Sequence, residues 1–184
     1  YLKRLLVGGF EKVFEINRNF RNEGLSTKHN PEFTMLEFYE AYGTLEKTTL
    51  FVQKLVQDSI SAVNDSLLIT YEDKELDFKK NFDVKSLKDL VKEKLKVDLD
   101  TEDQIFAAAK RNGLKIKKDW GWGKVLLELF EEHVEKELWK PTFVKDYPYE
   151  VSPLSRRKDD DADYTDRIEL FIAGREFANF FCEL

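Results

Sequence analysis

The sequence contains a single cysteine, Cys182, and therefore cannot form an internal disulfide bond. One cysteine and two histidines are also too few for a zinc site of the usual nitrogen and sulfur type. No apolar run reaches the roughly 18 residues that a membrane-spanning helix needs, and no signal peptide opens the chain. These absences predict a protein of a reducing compartment, the cytoplasm, without a membrane partner.

Positive charge is not in excess, because 30 Lys and Arg residues stand against 36 Asp and Glu residues, for a net charge of −6. A protein that binds nucleic-acid phosphates over a large surface is usually basic. Any nucleic-acid binding by this chain must therefore be local or depend on other segments. Apolar residues (42%) and aromatic residues (14%) are plentiful, which predicts a folded core and excludes a disordered chain. Both ends, at Tyr1 and Leu184, interrupt a pattern, so we expect a piece of a longer protein.

Hydrophobic periodicity predicts strands, then helices, then strands again. In chain order we predict strands over 12–21 and 33–41, a helix over 46–63, a small hairpin over 67–78, a mostly helical segment over 83–139, and strands from 141 onward that turn at Gly174. The short polar connection over 24–31 favours an antiparallel pairing of the first two strands. The expected fold class is α+β with a mostly antiparallel sheet.

Three of the predicted strands carry polar and aromatic residues on one face and apolar residues on the other. The polar faces gather Glu15, Asn17, Asn19 and Arg21 in the first strand, Phe33, Met35, Glu37 and Tyr39 in the second, and Asn179, Phe181 and Glu183 in the last. Either a solvated sheet face or the lining of a pocket explains this pattern. A solvated face is usually rich in Lys, Thr and Glu, so the mixture of Asn, Arg, Tyr and Phe favours the pocket.

Isolated residues whose side chains could be reactive are better explained by packing or solvation. His133 lies beside the apolar stripe of its helix and is expected to be a boundary residue, and Cys182 has no neighbouring base to make it a nucleophile. The acidic run 159–161 is typical of a solvated turn. Neither a P-loop nor a dinucleotide-binding glycine fingerprint is present.

The segments "FRNEG" and "HNPEFTMLEFYEAY", which lie at 20–24 and 29–42, resemble motif 2 of the class II aminoacyl-tRNA synthetases. The likeness is to the subgroup of aspartate, asparagine and lysine enzymes, and within it to the lysyl-tRNA synthetase family. "YLKRLLVGGFEKVFEI", "WGWGK", "PTFVKDYPYEVSPLSRR" and "DRIELFIAGREFANFFCEL" resemble further signatures of that family in the expected order, so the resemblance covers essentially the whole chain. It implies a core with helices flanking a mostly antiparallel sheet: 1–82 and 141–184 would form the core, and 83–140 a mainly helical insertion.

The resemblance also implies an activity and its residues. A lysine–tRNA ligase uses ATP to activate lysine as lysyl-adenylate and transfers it to tRNA(Lys), with Mg²⁺ as the cofactor. By resemblance, Arg21 is catalytic and binds ATP together with Glu23, Lys28, His29, Asn30 and Phe33. The matching lysine-binding residues are Glu37, Tyr39, Asn179, Phe181 and Glu183, and the matching magnesium ligands are Glu169 and Glu176.

Departures from the family pattern lie in the last strand and at the ends. Phe180 and Cys182 stand where the family usually has a small residue and Ser or Thr. The motif that builds the homodimer, a further lysine-contacting glutamate, the motif 3 arginine and the anticodon-binding barrel would lie outside 1–184, so we expect this chain to be inactive alone. Two alternatives remain: a paralogue that attaches lysine to a protein such as an elongation factor, and a non-catalytic module that binds lysine or a nucleotide.

Overall fold

A computed structural model describes residues 1–22 and 30–184. It divides into two compact units, Tyr1–Gly43 and Thr44–Leu184. The predicted ATP-binding residues Glu23, Lys28 and His29 lie outside the described residues. In the described part of the chain, every helix is too short or too polar to cross a bilayer.

The first unit is a two-stranded antiparallel ribbon preceded by a short helix. Helix α1 (Leu2–Val7) leads into strand β1 (Lys12–Phe20), which pairs with strand β2 (Glu32–Glu40). The register places Glu15 opposite Glu37 and Asn19 opposite Phe33, so the polar residues of the two strands share one face. The predicted hairpin and its polar face are thereby confirmed.

The apolar face of this ribbon is exposed. Phe14, Ile16 and Phe20 are 71%, 68% and 74% exposed, and Leu36 on the partner strand is also exposed. Alternation of polar and apolar residues normally marks a strand with one buried face. Among residues 1–22 and 30–43 of this unit, the structure describes two strands and a six-residue helix, and no second layer there covers that face.

The second unit is built on a four-stranded sheet. In chain order its elements are α2 (Leu45–Val63), β3 (Leu68–Tyr71), β4 (Lys74–Asp77), β5 (Asp83–Ser86), α3 (Leu87–Leu95), α4 (Glu102–Arg111), α5 (Trp122–His133), β6 (Thr142–Pro148), β7 (Tyr164–Ile172) and β8 (Arg175–Phe181). The sheet order is β5-β6-β7-β8, antiparallel except for the parallel pair β5–β6, while β3 and β4 form a separate hairpin. This confirms the predicted α+β class with a mostly antiparallel sheet.

The helix starts follow local signals that the sequence shows. The Ser86 hydroxyl accepts a hydrogen bond from the Asp89 N–H at the start of α3. Thr101 and Gln104 form the predicted capping box of α4. Gly113 has φ of +76°, a left-handed conformation suited to glycine just after a helix.

Strand β5 is a feature that the sequence analysis did not predict. Its four residues, Asp83–Ser86, lie at the start of the segment predicted as mostly helical. Such a short, polar stretch has no clear period of its own, and its extended form depends on the parallel pairing with β6.

The main core lies between the helices α3, α4 and α5 and one face of the sheet. Val91, Leu126 and Leu129 from the helices are fully buried against sheet residues that include Val144 and Phe171. The helices therefore pack with the sheet in one unit, whereas the boundaries 83 and 140 of an inserted segment stay a prediction.

The opposite face of the sheet accommodates Phe180, the bulky departure from the family pattern. The centres of the Phe143 and Phe180 rings are 6.2 Å apart in an edge-to-face arrangement, and the centre of the Phe82 ring lies 5.8 Å from that of Phe143. The larger side chain at 180 is thus part of a second apolar cluster, away from the face that carries Asn179.

The "WGWG" segment begins helix α5, and its glycines allow a close approach of Glu150. The two carboxylate oxygens of Glu150 accept hydrogen bonds from the Gly121 and Gly123 N–H groups at 2.9 and 2.8 Å. A Cβ atom at position 121 would lie 2.2 Å from Glu150 Oε1, and one at 123 would lie 2.7 Å from Pro148 Cβ. A remote carboxylate therefore caps this helix in place of a local N-cap side chain.

Replacing Glu150 by Gln is expected to lower the free energy of unfolding by about 1–2 kcal/mol, because the amide replaces one of the two acceptor oxygens by an N–H₂ group and removes the negative charge at the helix start. Urea unfolding measures this effect. Glu132→Gln, an exposed change on the same helix, is the matched control and should stay within about 0.5 kcal/mol of the wild type. Equal effects of the two changes would contradict the capping role.

Candidate active site

A buried carboxylate, Glu169, lies at the centre of a polar network on strands β6 and β7. Its Oε2 accepts a hydrogen bond from the Tyr147 hydroxyl at 2.7 Å, and its Oε1 accepts one from the Arg167 guanidinium at 2.5 Å. Burying a charged carboxylate is costly unless it is paired and hydrogen-bonded, and Arg167 and Tyr147 meet that requirement.

Arg167 joins this carboxylate to other parts of the unit. Besides Glu169, its Nη1 donates to Ser152 Oγ at 2.7 Å and its Nε donates to Asn179 Oδ1 at 3.3 Å. The guanidinium carbon lies 4.7 Å from the centre of the Tyr147 ring. One planar group therefore orients both a predicted magnesium ligand, Glu169, and a predicted lysine-binding residue, Asn179.

The sequence analysis assigned no role to Arg167. The available signal was the alternation in "DRIEL", which puts Arg167 and Glu169 on the same face of β7. Its contacts with Ser152 and Asn179 depend on the pairing of distant segments, which the local pattern does not reveal.

Strand pairing brings further predicted residues to this face. Glu169 pairs with Asn179 and Arg167 pairs with Phe181, and directly opposed residues of an antiparallel pair share a face. A register shift after Leu170 then pairs Phe171 with Glu176. The shift places Glu176 on the same face as Asn179, although simple alternation would put it on the other. Glu183 follows strand β8 and forms an isolated bridge with Ser155.

The two predicted magnesium ligands are hard oxygen donors of the kind that Mg²⁺ prefers. Within residues 1–22 and 30–184, however, no group of three or more His, Cys, Asp and Glu side chains is placed to hold a metal ion. Mg²⁺ commonly binds one or two carboxylates and takes its other ligands from substrate phosphates and water. That Glu169 and Glu176 hold Mg²⁺ together with substrate phosphates and water stays a prediction.

In the first unit, the predicted ATP-binding residues Arg21 and Phe33 are neighbours. The guanidinium carbon of Arg21 lies 5.4 Å from the centre of the Phe33 ring, and the Arg21 N–H donates to the Pro31 carbonyl at 2.8 Å. Asn30, three residues before Phe33, is exposed. The aromatic ring and the guanidinium together present a flat apolar face next to a fixed positive charge.

The predicted lysine-binding residues of the first unit are also paired. The Tyr39 hydroxyl donates to Glu37 Oε1 at 2.7 Å, and Lys3 Nζ lies 5.7 Å from the centre of the Tyr39 ring. Each unit thus gathers its own predicted site residues. That they line one common pocket stays a prediction.

The surroundings of Cys182 and His133 agree with the packing roles that the sequence predicts for them. Burial raises the pKa of the Cys182 thiol, and the nearby Asp166 carboxylate raises it further, so a reactive thiolate is disfavoured at neutral pH. His133 Nε2 is buried and has no hydrogen-bond partner in the described part of the chain.

The phenol of Tyr147 is kept neutral by its environment. Burial raises its pKa well above 10, and the Glu169 carboxylate beside it raises it further. A neutral Tyr147 can continue to donate its hydrogen bond to Glu169. Because the folded-state pKa exceeds the unfolded value, the stability from this group is present below pH 10 and is lost as the pH rises above it.

Replacing Tyr147 by Phe is expected to make the free energy of unfolding less sensitive to alkaline pH, since the variant has no phenol to ionise in the unfolded state. Urea unfolding from about pH 8 to about pH 11 would measure this slope in both proteins. Burial raises the pKa of Tyr164 to about 12, but Tyr164 is present in both proteins, so its contribution to the two slopes is the same. Parallel slopes would contradict the assigned environment of Tyr147.

Comparison with known proteins identifies the family of this chain. The family of tRNA synthetases class II (D, K and N) matches residues 1–184. The chain therefore belongs to the class II tRNA synthetases of this aspartate, lysine and asparagine group.

The similar curated proteins are lysine–tRNA ligases. The chain is 50% identical to that of Vesicomyosocius okutanii, 50% identical to that of Magnetococcus marinus and 48% identical to that of Yersinia enterocolitica. Each alignment takes in all of this chain and 37–38% of the relative's length. The chain thus spans somewhat more than a third of the length of these relatives.

Proposed function

We propose that this chain is the catalytic part of a lysine–tRNA ligase, which activates lysine with ATP and transfers it to tRNA(Lys). The observation that carries the proposal is identity of about half over the whole chain to lysine–tRNA ligases. Lysine specificity has a physical basis in the residues themselves, because a buried ammonium group requires carboxylate partners. Glu37 and Glu183 are those partners in this proposal.

Lysine recognition would combine charge with shape. The Tyr39 hydroxyl holds Glu37 in one orientation by a 2.7 Å hydrogen bond, which favours a defined position for the ammonium group. Asn179, oriented by Arg167, would contact the polar end of the amino acid, and the half-exposed ring of Phe181 would contact its aliphatic part.

ATP recognition would use the residues around Arg21. Phe33 presents a ring on which adenine can stack, and the Arg21 guanidinium is able to hold two oxygens at once. The adenine end would be contacted by Glu23 and Asn30, and the outer phosphates by Lys28 and His29. Bound Mg²⁺, with Glu169 and Glu176 as its protein ligands, would neutralise charge on the phosphates.

The first step would be an in-line displacement at phosphorus. An oxygen of the lysine carboxylate attacks the α-phosphorus of ATP, the bond to the β-phosphate oxygen breaks, and pyrophosphate leaves. A ribose hydroxyl of the tRNA then attacks the carbonyl carbon of lysyl-adenylate and displaces AMP. In this scheme Arg21 bridges the carboxylate and the α-phosphate, so its role is to position both and to balance the developing negative charge.

Homodimerisation of the full-length protein and a cytoplasmic location stay predictions. Size-exclusion chromatography with light scattering on the full-length protein tests the first of them.

The proposed activity is tested by lysine-dependent ATP–pyrophosphate exchange and by aminoacylation of purified tRNA(Lys), both with the full-length protein. We expect exchange with lysine and transfer to tRNA. Exchange with aspartate instead would contradict the specificity. Exchange without transfer to tRNA would favour the paralogue that modifies a protein, and binding of lysine or ATP without exchange would favour a non-catalytic module.

A further inference from the structure

The last two residues of helix α4 and the segment that follows them toward α5 are strongly basic, in contrast to the rest of the chain. Residues 110–118 read "KRNGLKIKK" and contain five cations and no acidic residue, in a protein of net charge −6. We call these nine residues the basic loop. Its cationic residues are Lys110, Arg111, Lys115, Lys117 and Lys118, and all five are exposed.

The basic loop is held in place by the core beneath it. Leu114 and Ile116 pack against the helical core, so the lysines that alternate with them point outward. The Leu114 N–H donates to the Ala109 carbonyl at 3.0 Å, and the Trp120 N–H donates to the Lys117 carbonyl at 3.2 Å. The loop therefore presents its charges from a fixed backbone and would lose little backbone entropy on binding.

In the part of the chain that the structure describes, the cations of the basic loop lack ion-pair partners. None of its five cations forms an ion pair with any residue in 1–22 or 30–184. By contrast, Lys85, Lys88 and Lys92 in and around α3 each lie within 3.5 Å of a carboxylate oxygen. Lys117 instead lies 5.2 Å from the centre of the Trp120 ring, which leaves its full charge available.

We propose that the basic loop binds the phosphate backbone of the tRNA during aminoacylation. This inference rests on the proposed function and extends it to a surface that none of the predicted site residues occupies. The argument is charge complementarity: an acidic protein that must bind a polyanion needs local clusters of unpaired cations, and nucleic-acid phosphates are the usual partners of such clusters. Lysine ammonium groups suit this contact because they act as point charges that bind phosphates of any base sequence.

The test compares two triple variants of the full-length protein that change the net charge equally. Lys115→Gln/Lys117→Gln/Lys118→Gln removes three of the four lysines of the basic loop, and Lys85→Gln/Lys88→Gln/Lys92→Gln removes three ion-paired lysines as the control. Binding of transcribed tRNA(Lys) is measured by filter binding over a series of salt concentrations. For the first variant we expect about tenfold weaker binding near 0.1 M salt and a log–log salt slope shallower by about two to three. For the control we expect a change of less than about twofold.

Exchange of pyrophosphate requires no RNA and separates the two proposals. We expect lysine-dependent exchange to be the same in the wild type and both variants. If exchange is present and the basic-loop variant binds tRNA as tightly as the wild type, or no more weakly than the control, the role of the basic loop is wrong and the proposed function stands. A wild-type protein without exchange would overturn the proposed function and this inference with it.

Discussion

Replacing Arg21 by alanine in the full-length protein is expected to lower the rate of lysine-dependent ATP–pyrophosphate exchange by about a thousandfold. The physical reason is that charge develops on the α-phosphate and the attacking carboxylate in the transition state, and loss of a group aimed at such charge costs about 10²–10³ in rate. Arg21→Lys should recover only part of this rate, because an ammonium group keeps the charge but cannot hold two oxygens in a plane.

Arg18 provides the matched control for this experiment. It lies on β1, three residues before Arg21, pairs with Thr34 on the apolar face, and is an exposed residue 3.9 Å from Glu32. Arg18→Ala should change exchange by less than about twofold, and neither change should lower the free energy of unfolding by more than about 0.5 kcal/mol. Comparable losses of exchange in the two variants would show that Arg21 has no special place in the reaction.

The second large effect is expected from Arg167→Met. This change leaves the buried Glu169 carboxylate without its cation and should lower the free energy of unfolding by roughly 2–4 kcal/mol. The range lies below that of a fully buried pair because the Arg167 side chain remains 20% exposed. The KM for lysine should also rise by about tenfold, because Asn179 loses a charge-assisted hydrogen bond that orients its amide.

A double variant distinguishes the structural role of Arg167 from its role in the reaction. Arg167→Met/Glu169→Met removes both charges, so it should regain most of the lost unfolding free energy. Exchange should remain low in the double variant, because a proposed magnesium ligand is missing. Regained stability together with regained exchange would contradict the role of Glu169.

Arg156→Met is the control for the loss of an arginine from an ion pair. Arg156 binds Asp166, the residue before Arg167 on β7, but the Arg156 side chain is 51% exposed, so its removal should cost no more than about 1 kcal/mol. Equal destabilisation by the two arginine changes would mean that the network around Glu169 has no more effect than a surface ion pair.

Much of the local structure follows from short stretches of sequence. The alternation over 12–21 and 33–41 predicts the β1–β2 ribbon and its polar face, and the Thr101–Gln104 capping box marks the start of α4. These signals are readable because hydrogen bonds and periodic burial act between residues close in the chain.

Other features depend on partners that are remote in sequence. Strand β5 is extended because β6 pairs with it, and helix α5 is capped by Glu150, which lies 27 residues beyond Gly123. The exposed apolar face of the ribbon, with Phe14 and Phe20, likewise departs from what alternation alone indicates.

The sequence by itself determined the family, the α+β class, the ribbon and the residues of the proposed lysine and ATP site. Only the tertiary structure decided that Arg167 connects Ser152, Glu169 and Asn179, and that the register shift after Leu170 turns Glu176 toward the same face. The reason is physical: residue type and periodicity are local properties, whereas a buried charge network forms only where strand pairing brings distant side chains within hydrogen-bond distance.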